Sequence, residues 1–394
     1  MPKVGLVAID GDNKWVGGRY YLHHLVKSVS SLPSEERIEL TSISWGVNDQ
    51  NDKDAFSEVR SFLGASVRIR LPQSIFGRVF RRIRRFNTDT FGASDLFKKN
   101  GIDAFFPIPP CENSGIPYVF WLPDFQYLRR PDLMSETARS NLERYYFEHV
   151  HAASQIVLSS EDAQRDFAKV YPLFLGRTHV VRFCSIPDNE WWRLNPSMVA
   201  DGYGLPDRFF IVCNQFTRHK NHLVLMKALN VLSQRGLDDM HLVCTGSTFD
   251  HRGEDYIGQV NAYLTEHGLE RRVHILGLIP RAEQIALLRR SIAVVQPSLF
   301  EGWSTIVEDA KTLGKPILVS DLPVHHEQLG PKQGYYIGLD SPDEWADAMA
   351  ETWTSLSPGP AEADEANALI HLEGAKRECG LAFVKALLAA LPLH

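Results

Sequence analysis

Residues Gln296-Pro-Ser-Leu-Phe-Glu301-Gly302-Trp-Ser304-Thr305-Ile-Val-Glu308-Asp309-Ala-Lys-Thr-Leu-Gly314-Lys-Pro-Ile-Leu-Val-Ser-Asp321 decide how this chain is read. An apolar run, Ile292–Val295, leads into the stretch and reads as a strand. A short loop carrying Glu301 follows, then a helix that carries a second acid one turn in. Free N–H groups at a helix N-terminus point outward and favour an anion such as phosphate. Glu301 in the same loop would repel a phosphate, so it reads as an acceptor for hydroxyl hydrogen bonds. A phosphate site beside a polyol site is the pairing that a nucleotide sugar requires.

Working outward, short apolar runs alternate with helical patterns twice over. In the first half, strands are expected at Lys3–Ile9, Ile38–Ile43, Ala104–Phe106, Tyr118–Trp121, Gln155–Leu158 and His179–Val181. In the second half they are expected at Phe209–Cys213, Met240–Cys244, Val273–Ile275, Ile292–Val295, Pro316–Val319 and Gly334–Ile337. Helical stretches such as His222–Gln234, Tyr256–His267 and Arg281–Arg290 lie between them. This alternation predicts an α/β chain with two doubly wound, Rossmann-like parallel sheets. Ligands of such sheets bind beyond the carboxyl ends of strands, and a cleft between two domains is a favoured place. The expected division is a first domain at 1–190, a second at 191–370, and a terminal helix at 371–394. Ile186–Pro206, with three prolines and little periodicity, reads as the linker, and Pro358-Gly-Pro360 with the acidic stretch after it as a second connector.

Bulk properties narrow the classes. At 394 residues the chain is too long for one small core. A net charge of -6 argues against general nucleic-acid binding. No run of 18 apolar residues exists, so no transmembrane helix is expected. The opening Met1-Pro-Lys-Val-Gly-Leu-Val-Ala-Ile-Asp10 lacks a small-residue cleavage site and reads as a first strand, not a secretory signal. Cys111, Cys184, Cys213, Cys244 and Cys379 are scattered without CxxC spacing. They read as reduced thiols of a cytoplasmic protein, holding neither disulfide nor zinc.

With those residues in view, the chain resembles the retaining GT-B glycosyltransferases of family 4, the glycosyl transferases group 1 type. Glu301-Gly302-Trp, an acid eight residues on at Asp309, Ala310 and Gly314-Lys-Pro-Ile look like that family's Glu-x7-Glu signature. The family usually has Glu where Asp309 stands, and Glu308 precedes it here. Neighbouring helix positions point about 100° apart, so one of the two acids faces the cleft. The resemblance implies a retaining, metal-independent transferase that needs no cofactor beyond a UDP- or GDP-sugar donor. Its hydroxyl acceptor would be a carbohydrate or a lipid-linked molecule, in bacterial cell-surface polysaccharide or glycolipid assembly. Other readings stand beside it: a nucleotide-sugar epimerase or a phosphorylase on a similar architecture, or a two-domain sugar-binding protein without turnover.

The resemblance also assigns roles. Glu301 would hold hydroxyls of the donor sugar, and Asp309 or Glu308 the ribose. Lys220, in Asn214-Gln-Phe-Thr-Arg218-His-Lys220-Asn-His222, takes the lysine position of an Arg-x4-Lys diphosphate clamp. Gln215 stands where the clamp has arginine, and Arg218 two residues before Lys220 reads as the substitute, because guanidinium binds phosphate in a bidentate way. His219 and His222 have no Cys or carboxylate near them and read as non-ligands. Ser304 and Thr305 would offer amides to the diphosphate. Gly246-Ser247 would lie near the phosphates or ribose, and Leu276-Gly277-Leu278-Ile279 would offer backbone groups to the base. Gly17-Gly18, after the first strand, matches the loop that faces donor phosphates and acceptor; a plain turn reads equally well. Asp124 in Trp121-Leu-Pro-Asp124 stands in a loop where many members carry His-Asp, as an acceptor contact or as a helix cap.

One segment stands against the acidic whole. Arg68 to Arg85 holds seven arginines and no acid. Ile75, Phe76, Val79, Phe80, Ile83 and Phe86 recur at helical spacing opposite Arg78, Arg82 and Arg85. Residues 68–86 read as a basic amphipathic helix in peripheral contact with an anionic membrane, as a packed helix with a basic outer face, or as a positive site for a lipid-diphosphate acceptor.

Overall fold

The computed structural model describes residues 1–8, 16–46, 56–70, 93–110, 114–250, 254–331 and 333–392. It contains two compact units, both parallel α/β. The first comprises Met1–Asp124, Asn141–Phe183 and Gly374–His394, and the second Phe125–Ser140 and Cys184–Glu373.

The first unit holds β1 (Lys3–Val7), β2 (Glu39–Gly46), β3 (Ala65–Arg70), β4 (Ala104–Phe106), β5 (Val119–Leu122), β6 (Gln155–Leu158) and β7 (Thr178–Val180). Four strands run in the order β3-β2-β1-β4 and three in the order β5-β6-β7. A parallel bridge between Phe105 and Tyr118 links the two sets. β3 was not expected: Arg68 and Arg70 belong to a strand, where alternate charged side chains hide the apolar signal. The rest of the expected basic helix, 71–86, lies outside the described residues. The last helix, Glu362–Leu388, begins nine residues before the expected 371, because Glu and Ala favour helix and three acids sit in its first turn. Its first-unit portion packs closely. A Cβ on Gly380 would lie 2.8 Å from the Ser28 carbonyl oxygen, and Phe383 meets Phe106 edge-on at 4.8 Å.

The second unit holds β8 (Phe210–Cys213), β9 (Leu242–Thr245), β10 (Val273–Gly277), β11 (Val294–Gln296), β12 (Ile317–Ser320) and β13 (Tyr335–Ile337), ordered β10-β9-β8-β11-β12-β13. Successive strand residues face opposite sides, so each strand feeds two cores. Phe210, Val212, Leu242, Cys244, Val295 and Leu318 join the helix His222–Gln234 and Trp345 on one face. Phe209, Ile211, Val243, Val294, Ile317 and Val319 join Ile285, Leu288 and Val307 on the other. Burying both faces explains why these strands read as unbroken apolar runs. Full burial of each large side chain contributes roughly 1.5–3 kcal/mol.

Two stretches read as connectors fold locally. Within 186–206, helices form at Glu190–Arg193 and Pro196–Gly202, the second capped by Asn195, which accepts from the Ser197 and Met198 amides at 3.0 and 3.2 Å. After Pro360, Glu365 accepts both arms of the buried Arg289 guanidinium, at 2.8 and 3.0 Å. Lys315, of the Gly-Lys-Pro run, is buried beside them and donates to the carbonyls of Arg289 and Ser291. Burial outweighs the nearby Glu365 and Asp364 and pulls its ammonium down to about 8. Among the described residues no helix is long and apolar enough to cross a membrane.

Candidate active site

The second sheet reverses its strand order between β8 and β11. Open parallel sheets bind ligands beyond the carboxyl ends of strands at such a reversal. β8 runs into Asn214–His222 and β11 into Pro297–Ser304, the two loops singled out in the sequence. They are pinned together: the Leu299 amide donates to the His219 carbonyl at 2.8 Å.

Lys220 ends a single 3-10 turn, Arg218–Lys220, and Asn221 turns the chain into the next helix at φ 54. Lys220 Nζ donates to Glu301 Oε1 at 2.6 Å. Gln296 Nε2 donates to the same oxygen at 2.7 Å. Burial alone pushes the Glu301 carboxyl up, but Lys220 and a hydrogen bond from Ser298 outweigh it and hold the group below the usual carboxylate value. Glu301 is therefore an anion at neutral pH, with its charge matched by one cation.

Gln296, fully buried, also accepts from Asn214 Nδ2 at 2.7 Å and reaches the hydroxyls of Ser298 and Ser304 at 3.1 and 3.2 Å. Gln328 grips Ser304 from the other side. It accepts from the Ser304 amide at 3.2 Å and donates to the Ser304 carbonyl at 3.1 Å. The Ser304 N–H thus faces Gln328, while Thr305 opens the helix Thr305–Thr312. Gly302 is half-buried in the loop between them.

The two neighbouring acids diverge as the helix requires. Glu308 accepts from Gln328 at 3.0 Å and from Lys311 at 3.1 and 3.2 Å. Burial raises its carboxyl above the usual value despite Lys311 and Gln328. Asp309 points instead to Ser185, whose hydroxyl donates to Oδ1 at 2.7 Å, and to Arg281, 2.6 Å from the same oxygen. Its Oδ2 is buried with no hydrogen-bond partner among the described residues. Arg281 opens the helix that follows Leu278-Ile279-Pro280, and lies 5.2 Å over the Trp191 ring.

Gly246 has φ 134, and a Cβ there would stand 2.1 Å from the Asn214 carbonyl oxygen, so only glycine fits between the ends of β8 and β9. Its amide donates to the Gly277 carbonyl at 2.8 Å. The Ser247 carbonyl accepts from the Phe216 amide at 2.9 Å, and Leu278 is 76% exposed. Arg218 lies between two other acids: its guanidinium is 3.8 Å from Asp132 and 3.6 Å from Glu254. His222 is buried and stacked on Phe216, and its ring is driven down to about 3 by burial and Lys220. Among the described residues no group of three or more His, Cys, Asp or Glu is arranged around a metal position.

Residues 202–356 match the family described as "Glycosyl transferases group 1". The matched stretch lies wholly within the second unit. A curated relative, the D-inositol 3-phosphate glycosyltransferase of Corynebacterium glutamicum (strain R), is 28% identical over 136 residues, 33% of this chain. The match spans 31% of that relative's length. Solved structures extend the fold to the whole chain, as two Rossmann-like domains of GT-B type. Anabaena HepE in complex with UDP and glucose superposes with a TM-score of 0.69, at 17% identity, over 99% of this chain and 98% of its own. Sucrose-phosphate synthase from Thermosynechococcus elongatus gives 0.67 at 15% identity, over 98% of each chain.

Within the group 1 region, the fold brings together Lys220, Glu301, Gly302, Ser304, Thr305 and Glu308 of the residues expected at the site. In the first unit, Gly17 and Gly18 fall in the first turn of the helix Val16–Ser30, not in a loop before it. Asp124 is half-buried just beyond β5, near Trp121, which stacks on Tyr21 at 3.9 Å. Sequence reasoning passed over Asn214, Gln296, Gln328, Ser185 and Arg281. Gln296 had a visible signal, a carboxamide closing an apolar strand; Gln328, Ser185 and Arg281 are joined to the acids, and Asn214 to Gln296, only by tertiary contact.

Proposed function

We propose that this chain is a retaining glycosyltransferase that moves a sugar from a nucleotide-diphosphate donor, UDP- or GDP-linked, to a hydroxyl acceptor. The observation that carries the reading is the Lys220–Glu301 pair at the strand-order reversal, in a group 1 region. Glu301, kept ionised, accepts hydrogen bonds from hydroxyls of the transferred sugar. Lys220 turns to the diphosphate and offsets the charge that builds on it as the glycosidic bond breaks. Arg218 serves the same anion when it leaves Asp132 and Glu254. Asp309 takes the ribose through Oδ2, which has no hydrogen-bond partner among the described residues. The Thr305 amide adds the positive end of its helix. The leaving phosphate takes the acceptor proton, so no protein base and no metal is required.

Gly17, Gly18 and Asp124 are assigned to the acceptor side, and Gly246, Ser247 and Leu278 to the phosphates, ribose and base. The complex of HepE with UDP and glucose favours a uridine donor. The acceptor class is a carbohydrate or lipid-linked hydroxyl of cell-surface polysaccharide or glycolipid assembly, reached at the cytoplasmic face of a membrane. A thermal-shift screen of UDP, GDP, ADP and their sugars tests the reading, because a ligand of the folded state raises the midpoint. A shift with one nucleotide and a larger one with its sugar supports it. No shift with any of them, and no nucleoside diphosphate released with any acceptor, overturns it.

A further inference from the structure

Gln296 lies wholly inside the second unit, one residue past the apolar run that begins at Ile292. It nevertheless makes more polar contacts than a packing residue needs. An ionised carboxylate can only accept, so the face of Gln296 turned to Glu301 must be its NH2. Its oxygen then faces β8, and the Asn214 side chain must present its own NH2 there, at 2.7 Å. The orientation of both carboxamides is therefore forced by Glu301. The Ser304 hydroxyl, 3.2 Å from Gln296 Nε2, ties the same group to the start of the next helix, and Gln328 holds the Ser304 backbone by both its amide and its carbonyl.

We propose that Gln296 is a positioning residue. Its side-chain amide, aimed by Asn214, fixes the Glu301 carboxylate so that one oxygen is shared with Lys220 and the other is turned to the donor sugar. The inference rests on the reading of Glu301 given above, and deepens it. It also separates two roles among the buried carboxamides: Gln296 sets the acid, and Gln328 sets the backbone of the loop that carries it.

The test has a part that needs no ligand. Glu301 is titrated by carbon-13 NMR of its side-chain carboxyl in the wild type and in Gln296→Met, which keeps length and removes the donor. Losing a hydrogen bond to the charged form moves the midpoint up, by about one pH unit. An unchanged midpoint overturns the inference. The second part uses calorimetry with UDP-glucose and UDP as probes. Gln296→Met is expected to weaken UDP-glucose about tenfold and UDP less than about twofold. In a Glu301→Gln background the same change is expected to add nothing, since a residue that acts through Glu301 has no further effect once the acid is gone. Equal losses on both probes, additive with Glu301→Gln, describe a merely structural residue and overturn the proposal. Should the wild type bind neither probe, the reading of the site as one for a UDP-sugar fails, and the titration still decides on Gln296. If Gln296→Met does not fold, Asn214→Ala removes the group that aims the carboxamide and is read in the same two ways.

Discussion

Lys220 and Glu301 come from loops 81 residues apart and meet at 2.6 Å, with the lysine 19% and the acid 9% exposed. Each charge is held by the other. Glu301→Ala is expected to cut donor binding and turnover by about tenfold to hundredfold, the loss of one charge-assisted contact of roughly 1.5–3 kcal/mol. The fold should survive, because Lys220 keeps access to water. Wild-type turnover in that variant removes Glu301 from the site.

The pair also predicts a pH dependence. The folded Glu301 carboxyl lies below its ordinary value, so its stabilising effect is present above the unfolded value and is lost as pH falls through the folded one. Lys220→Met removes the cation and leaves burial dominant, which raises the carboxyl instead. The stability gap between wild type and Lys220→Met is therefore expected to narrow as the solution is acidified from neutral towards the carboxylate range. Denaturant melts across that range measure it; a constant gap rejects the electrostatic account.

Asp309→Asn is expected to weaken nucleotide binding by about tenfold, the cost of roughly one charged hydrogen bond. Glu308→Gln should change it much less, because Glu308 is spent on Gln328 and Lys311. Calorimetry with the free nucleotide ranks the two, and the reverse order shifts the Glu-x7-Glu alignment by one residue.

Lys315 yields a second titration. Its folded value of about 8 lies below the ordinary 10.5 of the free side chain, so the unfolded chain binds more protons between them. Stability contributed by this site must then rise with pH through that window, by roughly 3 kcal/mol at most. The difference between wild type and Lys315→Met should carry that slope, and a flat difference shows that the ammonium is not desolvated.

Glu365→Ala strands the buried Arg289 guanidinium and is expected to cost about 3–5 kcal/mol, well above a surface ion pair. Chemical denaturation reads the loss. A change below about 1 kcal/mol means that water reaches the arginine.

The basic segment 68–86 keeps its own test, since only 68–70 are described. Each arginine near an anionic surface contributes about 1 kcal/mol, screened by salt. Wild type should sediment with anionic vesicles more than with neutral ones. Replacing Arg78, Arg81, Arg82 and Arg85 by Gln should abolish the difference and leave donor binding intact. Equal weak binding to both vesicle types removes the membrane reading.

The sequence by itself determined the class of fold, because buried parallel strands must be apolar on both faces and Phe210–Cys213 or Ile317–Ser320 could be little else. It also determined which loop carries the acids, since Glu301 and the helix after it are local features. Strand order was not in the sequence: that β8 lies beside β11, and so brings Lys220 to Glu301, depends on contacts between distant segments. The two acids were adjacent letters until the helix gave Glu308 to Lys311 and Asp309 to Arg281. Gln328 and Asn214 acquired meaning only when packing buried them, because a carboxamide is an ordinary polar group in water and an obligatory partner once water is gone.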